Sequence, residues 1–156
     1  MNADWPVADL DPVRRMGVLA AGIPGSLFAV DVLDAPFDRV WAVAADLERE
    51  LPKLVRDIRS MRIVRADGEV LVADAVGRLG LRDRFDVVLR PGWCVMQSTR
   101  VIGGMAAVAD GAGTRFAFLG ALRMPGVRLA DPLLRRLARP VGRGMFRRLR
   151  DEVQQR

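Results

Sequence analysis

The 156-residue sequence contains no histidine and no tyrosine, and its only cysteine is Cys94. Histidine is the usual general base and the commonest metal ligand, and tyrosine supplies the phenolic acid. Without histidine, Ser-His-Asp and Cys-His catalysis are excluded, and one cysteine with carboxylates makes a poor zinc site. A lone cysteine forms no internal disulfide, and we interpret it as a small buried apolar residue. The sequence predicts neither a metal nor a cofactor.

Long apolar runs are also missing. The longest uncharged stretch, residues 16–30, is interrupted by glycines and by Pro24, and it is shorter than the roughly 20 apolar residues that cross a bilayer. The Arg14-Arg15 pair before it resembles a twin-arginine signal, but aspartates precede it and no clear cleavage site follows. With 51% hydrophobic and 28% charged residues, the composition is globular. We therefore predict a cytoplasmic protein.

Positive charge is concentrated near the C-terminal end of the sequence. The net charge is +6, and residues 131–156 hold eight arginines against three carboxylates. Such a segment can recruit nucleic acid or an anionic membrane. We favour the simpler interpretation, in which the arginines cover the solvent side of one amphipathic helix.

Periodicity and turn residues predict the order of the elements. Asp11-Pro12 begins a short helix, and an apolar strand follows over residues 26–33. Pro36 starts a helix with apolar residues every three or four positions, and Pro52 separates it from a second short helix. Six strands follow between residues 58 and 122, divided by glycine-containing turns. Apolar residues occupy both faces of strands 69–76 and 93–100, so their inward faces stay open.

The last predicted element is a helix of roughly 25 residues, about 37 Å long, enough to cross the whole domain. Asp131 is its predicted cap, and Pro132 takes the first helical position. Its apolar residues form one stripe from Leu133 to Val153, and Pro140 inside the helix predicts a kink. Because strands and helices do not alternate, we predict an α+β protein with an antiparallel sheet.

Three segments carry a resemblance to a known family. They are residues 34–41 (Asp-Ala-Pro-Phe-Asp-Arg-Val-Trp), the helix pair ended by Pro52 together with residues 57–64, and residues 113–118 (Gly-Thr-Arg-Phe-Ala-Phe) before Pro125. In these segments and in its order of elements, the chain resembles the START-like (SRPBCC) superfamily, particularly its polyketide cyclase/dehydrase and lipid-transport branch. The resemblance covers about residues 26–155.

The resemblance implies a helix-grip fold. In this fold a curved seven-stranded antiparallel sheet, with two short helices after the first strand, wraps around a long C-terminal helix. We divide the chain accordingly into an N-terminal helical extension, residues 1–25, and a START-like domain, residues 26–156. The part played by the N-terminal helix stays open.

The resemblance also implies a cavity between the sheet and the last helix. We predict that the cavity binds a hydrophobic small molecule (a lipid, an isoprenoid or a polyketide-like compound) without catalysis. Plain core packing is the alternative interpretation of each candidate. The predicted ligand-binding residues are Trp41, Met61, Phe85, Val87, Met96, Met105, Phe116, Phe118, Leu137, Val141 and Met145.

Two other functions remain open. One is a polyketide cyclase or aromatase-like lyase, which would hold a reactive chain in a folded geometry with help from a carboxylate or an arginine. The candidate acid or base groups are Asp74 and Asp83, although pairing with arginines such as Arg59 or Arg84 is the simpler interpretation. Arg100 and Arg115 are candidates to receive an anionic head group of a ligand, but exposed arginines on strands are ordinary. Cyclases of this family tend to line their cavities with tyrosine and arginine, so the missing tyrosine disfavours this function.

The second function that remains open is that of a surface-binding module, whose basic last helix contacts an anionic membrane. Nucleic acid is the less favoured partner of such a module. The sequence leaves the oligomeric state open between monomer and homodimer.

Overall fold

The computed structural model describes residues 9–156. Residues 1–8, which belong to the predicted N-terminal extension, lie outside the described residues. The described elements follow the predicted order. They are α1 (Pro12–Ala21), β1 (Leu27–Leu33), α2 (Phe37–Ala44), α3 (Leu51–Leu54), β2 (Ile58–Asp67), β3 (Val70–Gly77), β4 (Arg82–Arg90), β5 (Trp93–Gln97), β6 (Val101–Asp110), β7 (Gly113–Leu122), a one-turn 3₁₀ helix (Val127–Ala130) and α4 (Asp131–Gln155).

The strands form one seven-stranded sheet in the order β1-β7-β6-β5-β4-β3-β2, and every neighbouring pair is antiparallel. The sheet curves around α4, which packs against β1, α2 and α3. The predicted α+β class and helix-grip fold are confirmed. The outermost strand, β2, pairs with β3 with two interruptions of register, one near Ile58 and one near Ile63.

The concave face of the sheet carries the main core. Inward residues of β7, such as Phe116 and Phe118, meet Phe146 and Leu149 of α4. The structure also assigns the inward faces of the strands predicted at residues 69–76 and 93–100, which the sequence alone left open. The inward residues of β3 are Leu71, Ala73 and Ala75, and those of β5 are Cys94 and Met96.

A second, smaller core lies on the convex face beneath α1. Asp11 caps this helix, since its Oδ1 accepts a hydrogen bond from the Arg14 amide at 2.9 Å. Met16 on the buried side of the helix packs against Ala117 and Leu119 of the sheet. In the part of the chain that the structure describes, no helix has both the length and the apolar character needed to cross a membrane.

The start of α4 differs from the sequence prediction. The 3₁₀ helix runs directly into α4, so Ala130 is the residue before the first helical position and Asp131 is already helical. The Asp131 carboxylate instead accepts a hydrogen bond from Arg135 Nε at 2.9 Å. The predicted cap at Asp131 is wrong because the preceding turn is itself helical and offers no extended backbone for a cap.

The two halves of α4 have different surroundings. In the second half, Phe146, Leu149 and Val153 are buried in the main core. In the first half, Leu133 and Leu137 of the predicted stripe are exposed to solvent. The boundary between the exposed half and the buried half is Gly142. The helix passes so close to β1 at this residue that an added Cβ would lie 2.6 Å from the Ala29 Cβ.

Glu50, whose side chain is buried, anchors the end of α4. Its Oε1 accepts a hydrogen bond from Arg156 Nη2 at 2.9 Å, and its Oε2 accepts one from Lys53 Nζ at 3.0 Å. Lys53 Nζ also donates to Glu152 Oε2 at 2.9 Å. Burial acts to raise the pKa of Glu50, but the hydrogen bonds from Lys53 and Arg156 outweigh it, and the pKa lies below its ordinary value of 4.5.

We expect Glu50→Gln to lower the free energy of unfolding by about 1–3 kcal/mol at neutral pH, since hydrogen bonds to a charged group are lost. The pKa of Glu50 is lower in the folded protein than its ordinary value of 4.5. The stabilisation that its carboxylate provides is therefore present above pH 4.5 and is lost as the pH falls through the pKa of Glu50 in the folded protein. Urea unfolding at pH 7 and in acid measures the difference between variant and wild type, which should shrink in acid.

The control is Asp74→Asn. Asp74 pairs with Arg84 at 2.7 Å, but both side chains are well exposed, and such pairs contribute little. This variant should unfold as the wild type does. A Glu50→Gln deficit that stays the same in acid would contradict the proposed anchor.

A candidate ligand cavity

A cavity of about 560 Å³ lies between the concave face of the sheet and the part of α4 from Leu134 to Met145. It opens at the end of the sheet that carries the β3–β4 turn, the β5–β6 turn and the segment joining β7 to α4. Residues from these segments, including Leu81, Arg100 and Met124, border the opening. We call this opening the mouth.

The cavity exists partly because two inward positions of the sheet hold glycine, which has no side chain to fill the space. Gly103 of β6 and Gly120 of β7 face each other across the two strands. A Cβ added at Gly120 would meet no atom within 4 Å beyond its chain neighbours, and one at Gly103 would meet only the Met96 side chain. Two residues further from the mouth, the facing pair is Met105 and Phe118. The cavity therefore lies where paired glycines replace paired large side chains.

The helical wall of the cavity comes from one face of α4. Its apolar residues are Leu134, Ala138, Val141 and Met145, at spacings of four, three and four. Leu137, a predicted ligand-binding residue, is 43% exposed and does not line the cavity. Leu134, Val141 and Met145 belong to the predicted stripe, whereas Ala138 was not part of it and takes the place expected for Leu137.

An aromatic cluster closes the inner end of the cavity. The Phe118 ring lines the cavity, and its centroid lies 4.8 Å from that of Phe116 and 5.3 Å from that of Phe146. Trp41 packs behind Phe116, with ring centroids 6.4 Å apart. These rings belong to the main core, so the cavity ends at Phe118.

The structure brings part of the predicted set together. The predicted residues that line the cavity are Phe85, Met96, Met105, Phe118, Val141 and Met145. Trp41, Met61, Val87 and Phe116 lie instead in the solid core beside it. Val87 and Phe116 point inward as strand alternation predicts, and Trp41 joins the same core from α2, but neighbouring side chains fill the space around them.

Charged groups lie at the mouth. The charged residues among those lining the cavity are Asp57, Asp83 and Arg100. Asp83 Oδ2 accepts a hydrogen bond from Ser98 Oγ at 2.7 Å and lies 3.5 Å from Arg100 Nε. Arg100 also donates to the Arg82 carbonyl at 2.8 Å. The cavity is thus apolar in depth and polar at its opening.

The other candidate groups lie away from the cavity. Arg115 is on the convex face, where it donates to Asp11 Oδ2 at 2.8 Å. Cys94 is fully buried, and burial raises the pKa of its thiol to about 12, so the reactive thiolate is scarce near neutral pH. Within residues 9–156, no group of three or more cysteine, aspartate or glutamate side chains is arranged to hold a metal ion.

Sequence reasoning missed the glycine pair. It named Asp83 and Arg100 as separate candidates but did not place them together at the mouth. In the sequence, Gly103 indicates only a bend in its strand, and Gly120 gives no signal of its own. A glycine at an inward position of an alternating strand becomes meaningful only when its pairing partner is known.

No protein-family model matches the chain, and no curated protein matches its sequence. Solved structures match at low identity. A START superfamily protein from Mycobacterium smegmatis is 15% identical, with a TM-score of 0.59 over 83% of this chain and 97% of that one. A protein from Thermus thermophilus is 21% identical, with a TM-score of 0.58 over 83% and 97%.

An aromatase/cyclase from a Streptomyces species gives a TM-score of 0.52 at 15% identity, over 82% of this chain and 90% of that one. At such identities, the likeness shows the fold. The chain has the START-like fold, as the sequence resemblance predicted.

Proposed function

We propose that this protein of START-like fold binds a hydrophobic small molecule in the cavity between its sheet and α4. The observation that carries the proposal is the cavity itself, an apolar space of about 560 Å³ inside the fold. Binding pockets for small molecules commonly measure about 300–1,000 Å³ and have mainly apolar walls. An apolar ligand would gain roughly 25 cal/mol for each Å² of its surface removed from water.

The distribution of charge in the cavity supports an amphipathic ligand. Its apolar part would lie between the sheet and α4, against residues such as Phe118 and Met145. Its polar end would lie at the mouth, within reach of Asp83 and Arg100. A lipid, an isoprenoid and a polyketide-like compound each fit this description.

A cyclase-type enzyme is the second candidate function. The observation that favours it is the cluster of Asp83, Ser98 and Arg100, which would set a carboxylate and a guanidinium beside the polar end of a ligand. One of the solved structures with this fold is an aromatase/cyclase. The apolar inner walls favour binding over catalysis, because a chain folded inside would meet no charged group there.

The test is extraction of the ligand from purified protein, by native mass spectrometry followed by solvent extraction. We expect a retained hydrophobic molecule. Asp83→Asn should retain it too if the protein is a binder, whereas an enzyme would lose turnover on this change without losing its fold. Purified protein that carries no such molecule and binds no hydrophobic fluorescent probe would contradict the proposal.

A further inference from the structure

Large apolar side chains project into solvent around the mouth. Leu79 in the β3–β4 turn is 91% exposed, and Leu129 in the 3₁₀ helix is 89% exposed. Leu81 lies in the same turn, Met124 lies with Leu129 in the segment that joins β7 to α4, and Leu133 lies in the first turn of α4; all three are also exposed. Because Leu81 and Met124 both line the cavity, the two segments border one opening. We call these five side chains the mouth surface.

Single exposed leucines are ordinary on protein surfaces. A group of them around one opening marks a site of contact. Because the two most exposed residues sit on a turn and on a one-turn helix, they project outward and do not form a groove. Projecting side chains are suited to insertion into a partner.

Arginines surround the mouth surface. Arg78 and Arg82 flank the leucines of the β3–β4 turn. Arg123 directly precedes Met124, and Arg128 directly precedes Leu129. Arg136, Arg139 and Arg143 follow on the exposed side of α4. Among the described residues, no carboxylate lies within ion-pair distance of any of these seven guanidinium groups.

Three of the four arginines from residue 147 onward have different surroundings. Arg148 donates to the Leu54 carbonyl, Arg150 to Asp31, and Arg156 to Asp46 and Glu50. These side chains hold the helix to the rest of the fold. Of the seven arginines around the mouth surface, only Arg123 has such a contact among the described residues, since its Nη1 donates to the Ser98 carbonyl at 3.2 Å. The other six are left for an external anion.

We infer that the mouth surface docks on a lipid bilayer containing anionic lipids. The leucines and the methionine would enter the acyl-chain boundary, and the arginines would contact the phosphates while their stems lie along the apolar layer. The mouth then faces the bilayer, so a hydrophobic molecule exchanges with the membrane without crossing water. The docking itself does not depend on the proposed ligand binding.

Charge argues against other partners. A second copy of the chain in a two-fold dimer would set arginines against arginines across the same patch. Duplex nucleic acid would satisfy the arginines but leave Leu79 and Leu129 in water. An anionic bilayer is the partner that accommodates both features.

The test is sedimentation of the full chain with vesicles of phosphatidylcholine alone, and with vesicles of equal parts phosphatidylcholine and phosphatidylglycerol. We expect binding only to the anionic vesicles, and weaker binding at high salt. The double variant Leu79→Ser with Leu129→Ser should weaken binding roughly tenfold or more. The triple variant Arg136→Gln, Arg139→Gln and Arg143→Gln should weaken it by at least a similar factor.

The matched control is a triple variant of β2, in which the exposed residues Arg59, Arg62 and Arg65 are each replaced by glutamine. It changes the net charge equally and should bind within a few-fold of the wild type if the mouth surface is the contact. All substituted residues are exposed, and an unchanged melting temperature confirms that the variants fold. Variants that lose vesicle binding but still retain extracted ligand separate this inference from the proposed function.

Three results would overturn the inference. The first is no binding to anionic vesicles at low salt, and the second is equal loss of binding in the β2 control. The third is binding to duplex DNA, or self-association that depends on Leu79 and Leu129, without vesicle binding.

Discussion

Gly120→Leu is expected to weaken ligand binding strongly while the protein stays folded. Gly120 lies on the inner face of β7, and an added Cβ there meets open space. Its φ is not positive, so a larger residue fits the backbone without strain. A leucine side chain would then occupy the space between Gly103 and α4. We expect affinity to fall at least about tenfold, which corresponds to about 1.4 kcal/mol.

Titration with a hydrophobic fluorescent probe measures this effect, and so does the amount of extracted ligand per protein. The control is Val30→Leu, which adds bulk to the exposed face of the neighbouring strand β1. The control should bind as the wild type does. If Gly120→Leu keeps both its melting temperature and its affinity, the ligand does not occupy this cavity.

Phe116→Ala is expected to lower the free energy of unfolding by about 3–5 kcal/mol. The Phe116 ring is fully buried and contacts the rings of Trp41, Phe118 and Phe146. Removing it leaves a hole at the point where α2, β7 and α4 meet, and the surrounding rings cannot collapse fully into that hole. Urea unfolding of the variant and the wild type measures the loss.

The control for this change is Phe37→Ala, which removes the same atoms. Phe37 stacks on Trp41 at a centroid distance of 6.3 Å but is only partly buried at the start of α2. Its loss should therefore cost clearly less. Equal costs at the two positions would mean that the ring cluster is not the packed inner wall described here.

The order of elements was predictable because local chemistry marks each boundary. Pro36 starts α2 at the predicted place, and the Asp67-Gly68 turn joins β2 to β3. Prolines, glycines and alternating strands act within a few residues of sequence, so one sequence is enough to read them. The cap at Asp131 failed because the 3₁₀ helix before it leaves no local signal.

The cavity was harder to predict because it depends on contacts between distant residues. Phe118 and Phe116 have the same inward orientation, yet only Phe118 borders the space. The difference comes from the Gly103–Gly120 pair, whose two members are brought together by strand register. On α4, Leu133 and Leu134 are adjacent and both apolar, so periodicity alone does not decide which row faces the sheet.

The roles of the arginines at and near α4 were hard to predict for the same reason. Their sequence pattern indicates a helix with a solvated basic side, and Arg136 and Arg139 agree with that interpretation. Arg150 and Arg156 instead reach across the fold to carboxylates more than 100 positions away in sequence. No periodicity separates these two groups, because the partners are supplied by tertiary structure.

The interrupted pairing of β2 has a consequence for how the protein behaves at high concentration. An open sheet leaves backbone N–H and C=O groups unpaired along its last strand, which can recruit a strand from another molecule and begin aggregation. In β2, the two irregularities disturb the straight ladder that an incoming strand needs. The exposed Arg59, Arg62 and Arg65 add charge along the same strand. The protein thus protects its free sheet edge by local geometry and repulsion, while α4 packs along β1 at the opposite edge.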